Sequence, residues 1–253
     1  MNKTQINELS FLASNDYWGR GILIGRTSNK IAVAYFIMGR SENSRNRIFY
    51  KEDDRVAIAP YDKDADIDPT LIIYYPIKTN GKNLIVTNGD QTDTVEEFLN
   101  KSLTFEDALR TRCFEPDAPH FTPRISGILS LVDGSYKLSI LKDSDGQGTD
   151  CHRYFYEYPS RPNYAHFIHT YEGNDTPLPT FEGEPKLFKI PDSIEEFTDT
   201  IWNSLNDDNK ISLCTMMINP ETLEREVKIY NKLDNKELFK NRIEIKLEET
   251  KEE

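Results

Sequence analysis

Apolar residues fall along this chain in unbroken runs as well as in alternation, and the unbroken runs are the more informative. Residues 31–38 (IAVAYFIM), 71–77 (LIIYYPI) and 211–218 (ISLCTMMI) are apolar at nearly every position. A strand with one buried face alternates, so runs of this kind imply strands covered on both sides. Residues 19–25 (GRGILIG) form another such run, and the polar stretch 26–30 (RTSNK) before 31–38 reads as the turn of a hairpin. Further strands are predicted at 56–59, 83–87, 125–132, 136–141, 152–158 and 164–171, with Asp133-Gly134 as a tight turn between the third and fourth of these. Tyr74 and Tyr75 then occupy opposite faces of one strand, as do His166 and His169, so the two histidines suggest no metal site.

Helices are predicted at 94–103 (TVEEFLNKSL), 104–114 (TFEDALRTRCF) and 193–205 (SIEEFTDTIWNSL), each opening with acidic residues that complement the positive end of a helix. Thr104 with Asp107 resembles a capping box, aspartate being a weaker partner there than glutamate. Residues 1–16, with an apolar patch at Leu9, Phe11 and Leu12, are expected to form an arm or short helix; 173–185 is a surface connection and 241–253 a charged tail. Strands, two helices, strands, a helix and more strands make an α+β domain over 1–253, with two stacked, mostly antiparallel sheets carrying helices outside.

Composition adds limits. With 253 residues, 37% hydrophobic and 11% aromatic, the chain can build a sizeable core. No window approaches the ~20 apolar residues of a membrane span, and residues 1–16 lack the apolar core of a secretory signal, so a cytoplasmic protein with no membrane partner is expected. Cys113, Cys151 and Cys214 are odd in number and far apart in sequence, which fits neither a disulfide framework nor a clustered zinc site; they are expected to be reduced, mostly buried thiols. The segment 143–150 (DSDGQGTD) lacks the ligand spacing of an EF-hand and reads as a turn. A net charge of -12 argues against nucleic acid as a partner.

Against that balance, Arg20, Arg26, Arg40, Arg45, Arg47 and Arg55 crowd into the first quarter of the chain, three of them within 39–47 (GRSENSRNR). Arginine's planar fork matches phosphate and carboxylate oxygens two at a time, so this loop suits a phosphorylated ligand; a surface loop of weak salt bridges is the alternative. A second polar motif, 88–94 (NGDQTDT), stands where a strand gives way to a helix, offering free N–H groups to a ligand, with Asp93 or Thr92 as the helix cap. A third, 114–125 (FEPDAPHFTPRI), holds two carboxylates, a hydroxyl and an arginine between prolines, which suits an acid–base group with its charge partner or, more simply, a helix exit held by a salt bridge.

Together GRGILIGRTSN, GRSENSRNR, TNGDQTDT and FTPRISG, in this order and spacing, resemble the archaeal-type IMP cyclohydrolase family over roughly 17–218. That resemblance implies a four-layer αββα sandwich like that of the N-terminal-nucleophile hydrolases but without self-processing, in keeping with Asn2, which offers no nucleophilic side chain after Met1. It also implies ring closure of 5-formamidoimidazole-4-carboxamide ribonucleotide to IMP with loss of water, a purine nucleotide as partner, and neither metal nor organic cofactor. Motif matching places the catalytic arginine at Arg45, the strand tyrosine at Tyr74 and the loop glutamate at Glu115. Arg26, Ser28, Asn29, Arg40 and Ser41 become candidates for phosphate and ribose, and Asn88, Asp93, Thr122 and Arg124 for the base. A non-catalytic purine nucleotide sensor on the same fold is the alternative function. An amidohydrolase would need an activated nucleophile, and no serine or cysteine stands beside a clear base. Homo-oligomerisation stays open for a protein with many sheet edges.

Overall fold

The computed structural model describes residues 5–62, 64 and 73–233. One sheet runs in the order β1 (Ile6–Asn7), β12 (Lys186–Lys189), β11 (Tyr164–His169), β2 (Arg20–Arg26), β3 (Ile31–Met38), β13 (Lys210–Ile218), β14 (Arg225–Asn231). The other runs β10 (Cys151–Tyr158), β9 (Tyr136–Asp143), β8 (Arg124–Ser130), β7 (Asn83–Thr87), β6 (Ile77–Asn80), β5 (Arg55–Ala59), β4 (Ile48–Glu52). Among the described strands β1 and β12 pair in parallel and the remaining pairs are antiparallel, as short hairpin connections favour. The helices are α1 (Glu42–Arg45), α2 (Gln91–Asn100), α3 (Phe105–Arg110) and α4 (Ile194–Ser204), with a 3-10 turn at Leu9–Ser14.

Alternation within β3 explains its unbroken apolar sequence. Val33, Tyr35 and Ile37 face the second sheet, where they meet a core that includes Phe49, Leu84, Val86, Ile125 and Leu138. Ala32, Ala34 and Phe36 point the other way, into a core closed by Phe197 and Ile201 of α4 with Leu9 and Leu12. Across the molecule, Ile85 and Leu141 on the outer face of the second sheet meet Val95 of α2 with Phe105 and Leu109 of α3. The layers are therefore helix, sheet, sheet, helix. Every residue of β3 and of β13 is buried, as expected for strands covered on both faces.

Local details depart from expectation in five places. Of the stretch 71–77, residues 71 and 72 lie outside the described residues, 73–76 is irregular, and β6 starts only at Ile77, after Pro76, which has no N–H to give a ladder. Tyr74 is buried all the same, while Tyr75 lies under Arg55 and Lys78, whose cationic groups sit 4.7 and 5.6 Å from its ring centre. The helix α2 begins at Gln91 with Asp90 at its cap, so Thr92 and Asp93 lie in its first turn and neither is the capping residue. The Thr104–Asp107 capping box is formed, but α3 ends at Arg110. Of the cysteines only Cys214 is buried; Cys113 is exposed and Cys151 half-buried. The edge strands β1, β4 and β14, and β12 beside β1, went unanticipated.

Two of those edges are joined by one side chain. Asn231, at the end of β14, accepts from the Phe49 N–H at 2.8 Å and donates to the Phe49 carbonyl at 3.0 Å, while Ser212 donates to its Oδ1 at 2.7 Å. Among the described residues no helix is long and apolar enough to cross a membrane.

Candidate active site

Polar side chains gather where β2 begins. Gly19 enters the strand with φ of +70°, and a Cβ there would stand 2.2 Å from Thr170 Oγ1 and 2.5 Å from the Tyr171 ring, so both its conformation and its space require glycine. Arg20 follows, donating to the Met38 carbonyl at 3.2 Å. On the neighbouring strand, Tyr35 faces between the sheets and is fully buried; its hydroxyl lies 2.8 Å from that of Tyr74, and its ring stacks on Phe49 with centres 5.6 Å apart.

Arg47 enters from the segment before β4. It is fully buried, and its Nε donates to the Ser44 carbonyl at 2.8 Å. Neither of its Nη atoms has a hydrogen-bond partner among the described residues. A buried guanidinium is costly unless paired, so two idle donors here mark a position where an oxygen-bearing ligand would be strongly favoured. Burial and the nearby positive charge of Arg20 bring the Arg47 pKa down to about 10.

Glu115 is supplied by the loop between α3 and β8. The loop is tied down by its own side chains: Glu115 N–H donates to the Thr122 carbonyl at 2.9 Å, and Asp117 accepts from both the N–H and the hydroxyl of Thr122. That hydroxyl shares a 2.7 Å hydrogen bond with Tyr171 of the other sheet, whose ring stacks on Tyr17, which in turn lies beneath the Arg40 guanidinium at 5.2 Å. Burial pushes the Glu115 carboxyl up to about 7, against the opposing pull of Arg20, Arg124 and Arg47. Arg20 and Tyr74 lie within electrostatic reach of each other and of Arg47, Tyr35 and Glu115. The cluster thus offers two guanidiniums, two linked phenols and one carboxyl that titrates near neutrality. It is a place where negative charge can be received and a proton exchanged.

A model of the family described as IMP cyclohydrolase-like protein matches residues 17–222. The chain belongs to this family. Relatives named IMP cyclohydrolase include that of Methanococcus aeolicus, 29% identical over 160 residues, 62% of this chain and 74% of the relative. That of Methanopyrus kandleri is 28% identical over 184 residues, covering 66% of this chain and 89% of the relative, and that of Methanocaldococcus jannaschii is 36% identical over 117 residues, covering 45% and 56%. The whole cluster lies inside the span matched to the IMP cyclohydrolase-like family.

Within that span the residues singled out from sequence separate into three groups. Tyr74 and Glu115 are in the cluster. Thr122, Arg124 and Asn88 border it but are bonded to the protein: Arg124 donates to Gln91 at 2.6 Å and pairs with Asp90 at 2.7 Å, and Asn88 meets the Pro123 carbonyl, the Ile125 N–H and Gln91. Arg40 is half-buried at its rim and donates to Asn174. Arg45 is exposed, with its Nε on the Gly39 carbonyl at 3.1 Å; Ser41 caps α1, and Asp93 is exposed and paired with Lys78. Arg26, Ser28 and Asn29 lie at the opposite end of the seven-residue β2, about 20 Å from Arg20 at strand spacing.

Arg20 and Arg47 stood out in the sequence only as members of the arginine cluster, without a place in the site, and Tyr35 did not stand out at all. Tyr35 carried a signal, since its hydroxyl is the one polar side-chain group in IAVAYFIM and a buried phenol needs a partner. Arg47 carried another: it stands directly before the apolar Ile48 and Phe49 and so enters a strand, whereas Arg45 does not.

Proposed function

We propose that the protein closes the purine ring of 5-formamidoimidazole-4-carboxamide ribonucleotide, giving IMP and water, and that the buried Arg20–Arg47–Tyr35–Tyr74–Glu115 cluster is where it does so. Family membership and the relatives' names support the reaction. The observation that carries the site is Arg47, a buried cation whose outer donors have no partner among the described residues, set beside a carboxyl that titrates near 7.

In this reaction the carboxamide nitrogen attacks the formyl carbon of the same molecule. A C–N bond forms, the C–O bond breaks, and the two hydrogens of the departing water come from the two reacting nitrogens. Because both partners belong to one molecule, holding the reactive rotamer is the larger part of the task. Arg47, rather than Arg45, is the catalytic arginine and receives the formyl oxygen as it gains negative charge. Glu115 takes a proton from nitrogen, which a carboxyl with a pKa of about 7 does well near neutral pH. Tyr74 gives one to the leaving oxygen. Arg40, at the rim over Tyr17, is placed for the phosphate. Thr122 and Arg124 act by holding the Glu115 loop rather than by meeting the base.

The layering of two sheets between helices supports placing this fold with the N-terminal-nucleophile hydrolases. A cytoplasmic enzyme acting on a purine nucleotide follows from the same proposal.

The test is to mix the purified protein with the formamido ribonucleotide and follow IMP by ultraviolet absorbance. Conversion is expected, and Glu115→Gln should reduce it by roughly 10²–10⁴-fold in a folded protein. Full turnover in Glu115→Gln would remove that residue from the chemistry, and tight IMP binding with no conversion by the unaltered protein would favour a nucleotide sensor.

A further inference from the structure

We infer that Tyr35 is a positioning residue for Tyr74: its hydroxyl donates to the Tyr74 oxygen, turning the Tyr74 proton towards the substrate and steadying the phenolate left when that proton departs. The inference rests on the reading above, in which Tyr74 acts as a proton donor.

A hydrogen bond between two phenols has one donor and one acceptor, and at 2.8 Å the Tyr35–Tyr74 bond leaves only one of the two protons free. If Tyr74 donated, its proton would point into the core and be lost to the reaction. If Tyr35 donates, the Tyr74 proton faces outward. Tyr35 is the group least able to do anything else. It is fully buried in the middle of β3, its ring fixed against Phe49, and Tyr74 is the partner of its hydroxyl.

Charged groups reach the pair from three elements. Arg20 reaches it from β2, Arg47 from the segment before β4, and Glu115 from the loop before β8. Both arginines stabilise a phenolate on either ring, and Glu115, which opposes one on Tyr74 while charged, no longer does so once it holds a proton. Burial works against ionisation at both, and holds Tyr35 well above the ordinary phenol range. The shared hydrogen bond makes Tyr74 easier to ionise and Tyr35 harder. With Tyr35 as the donor, Tyr74 is the ring whose proton is free to leave. When Tyr74 acts, its O–H bond breaks, the proton goes to the departing oxygen, and the oxygen left behind accepts from Tyr35. Glu115 then gives the proton it took from the carboxamide nitrogen to the same oxygen, completing the water, and the Tyr74 phenolate recovers a proton from the formamido nitrogen as the ring C=N bond forms.

The test compares Tyr35→Phe, Tyr74→Phe and the double variant. Tyr35→Phe removes one oxygen and leaves the ring on Phe49. It should lower kcat by roughly 10- to 100-fold, as expected for loss of a hydrogen bond to a charged group, with KM nearly unchanged. The double variant should be no slower than Tyr74→Phe alone, because Tyr35 acts only through Tyr74. Unchanged kcat in Tyr35→Phe, or losses that multiply in the double variant, would overturn the inference.

A second readout does not need turnover. In protein labelled with carbon-13 at the tyrosine ring carbon bearing oxygen, the Tyr74 resonance is the one that vanishes in Tyr74→Phe. In Tyr35→Phe it should shift and begin to titrate at higher pH. If it neither moves nor titrates differently, Tyr35 is only a packing residue, whether or not ring closure has been observed.

Discussion

The two ends of β2 hold similar residues and do different things with them. At one end are Arg20, Arg47, Tyr35, Tyr74 and a carboxyl; at the other are Arg26, Arg161, Tyr136, Tyr158 and a histidine. At the second end the rings fill the space between the sheets. Tyr158 lies flat on His166 with centres 3.6 Å apart, Tyr136 hydrogen-bonds His166 Nδ1 at 2.6 Å, and Arg161 covers Tyr164 at 4.2 Å. Burial and Arg161 bring the His166 pKa down to about 4, so its ring is neutral at physiological pH. At the first end the phenols bond each other, and Arg47 keeps two donors without a partner among the described residues. The contrast teaches that residue types do not make a site. What matters is how many of their polar atoms are left over: among the described residues Arg47 has both outer nitrogens without a partner, and Arg26 only its Nε.

The strongest way to break this comparison is to remove one arginine from each end. Arg47→Ala should lower the rate of IMP formation by roughly 10²–10³-fold, the usual loss of an oxyanion donor, while Arg26→Ala should stay close to the unaltered protein. A large loss in Arg26→Ala would return the 26–29 turn to the ligand site.

A smaller effect concerns stability and its dependence on pH. Glu115 titrates near 7 in the folded protein and near 4.5 when unfolded, so between those values the folded state binds the extra proton. Its contribution is complete below about pH 4.5 and is lost as pH rises through 7. Glu115→Gln should erase this slope and, in urea unfolding at pH 8, be more stable than the parent by up to about 3 kcal/mol. Equal stability at pH 8 would mean that the carboxyl is already charged at neutral pH.

The mildest change belongs to the closed end. Tyr136→Phe should cost about 1 kcal/mol of unfolding free energy through loss of its bond to His166, with ring closure untouched. If turnover fell with stability held, the closed end would have a part in the chemistry.

Much of this fold could be read from the chain. The β2–β3 hairpin, the bounds of β7 and the Thr104 cap follow from run length, turn residues and capping chemistry, all local signals. The strand β14, REVKIYN, did not stand out because at a sheet edge its apolar Val227 and Ile229 are only partly buried and its charges face water. At the site, Tyr74 and Glu115 were found through the family resemblance. Arg47 was not, because it shares a nine-residue polar motif with Arg45 and only the backbone decides which turns inward. That decision is made where α1 ends: the Arg47 N–H doubles back to the Arg45 carbonyl at 2.9 Å, leaving one guanidinium outside and carrying the other beneath β4. Tyr35 depended on a partner 39 residues away, a pairing that no local pattern reveals.

The carboxamide of Asn231 gives Phe49 one donor and one acceptor, as a neighbouring strand would. A border strand ordinarily leaves such groups open to any passing chain, an invitation to sticky, unplanned growth. Here a single side chain fills that vacancy and stitches two borders to each other. The flank formed by β4 and β14 is thereby blunted at Phe49, and an encounter with another unfolded or half-folded molecule finds no ready template there.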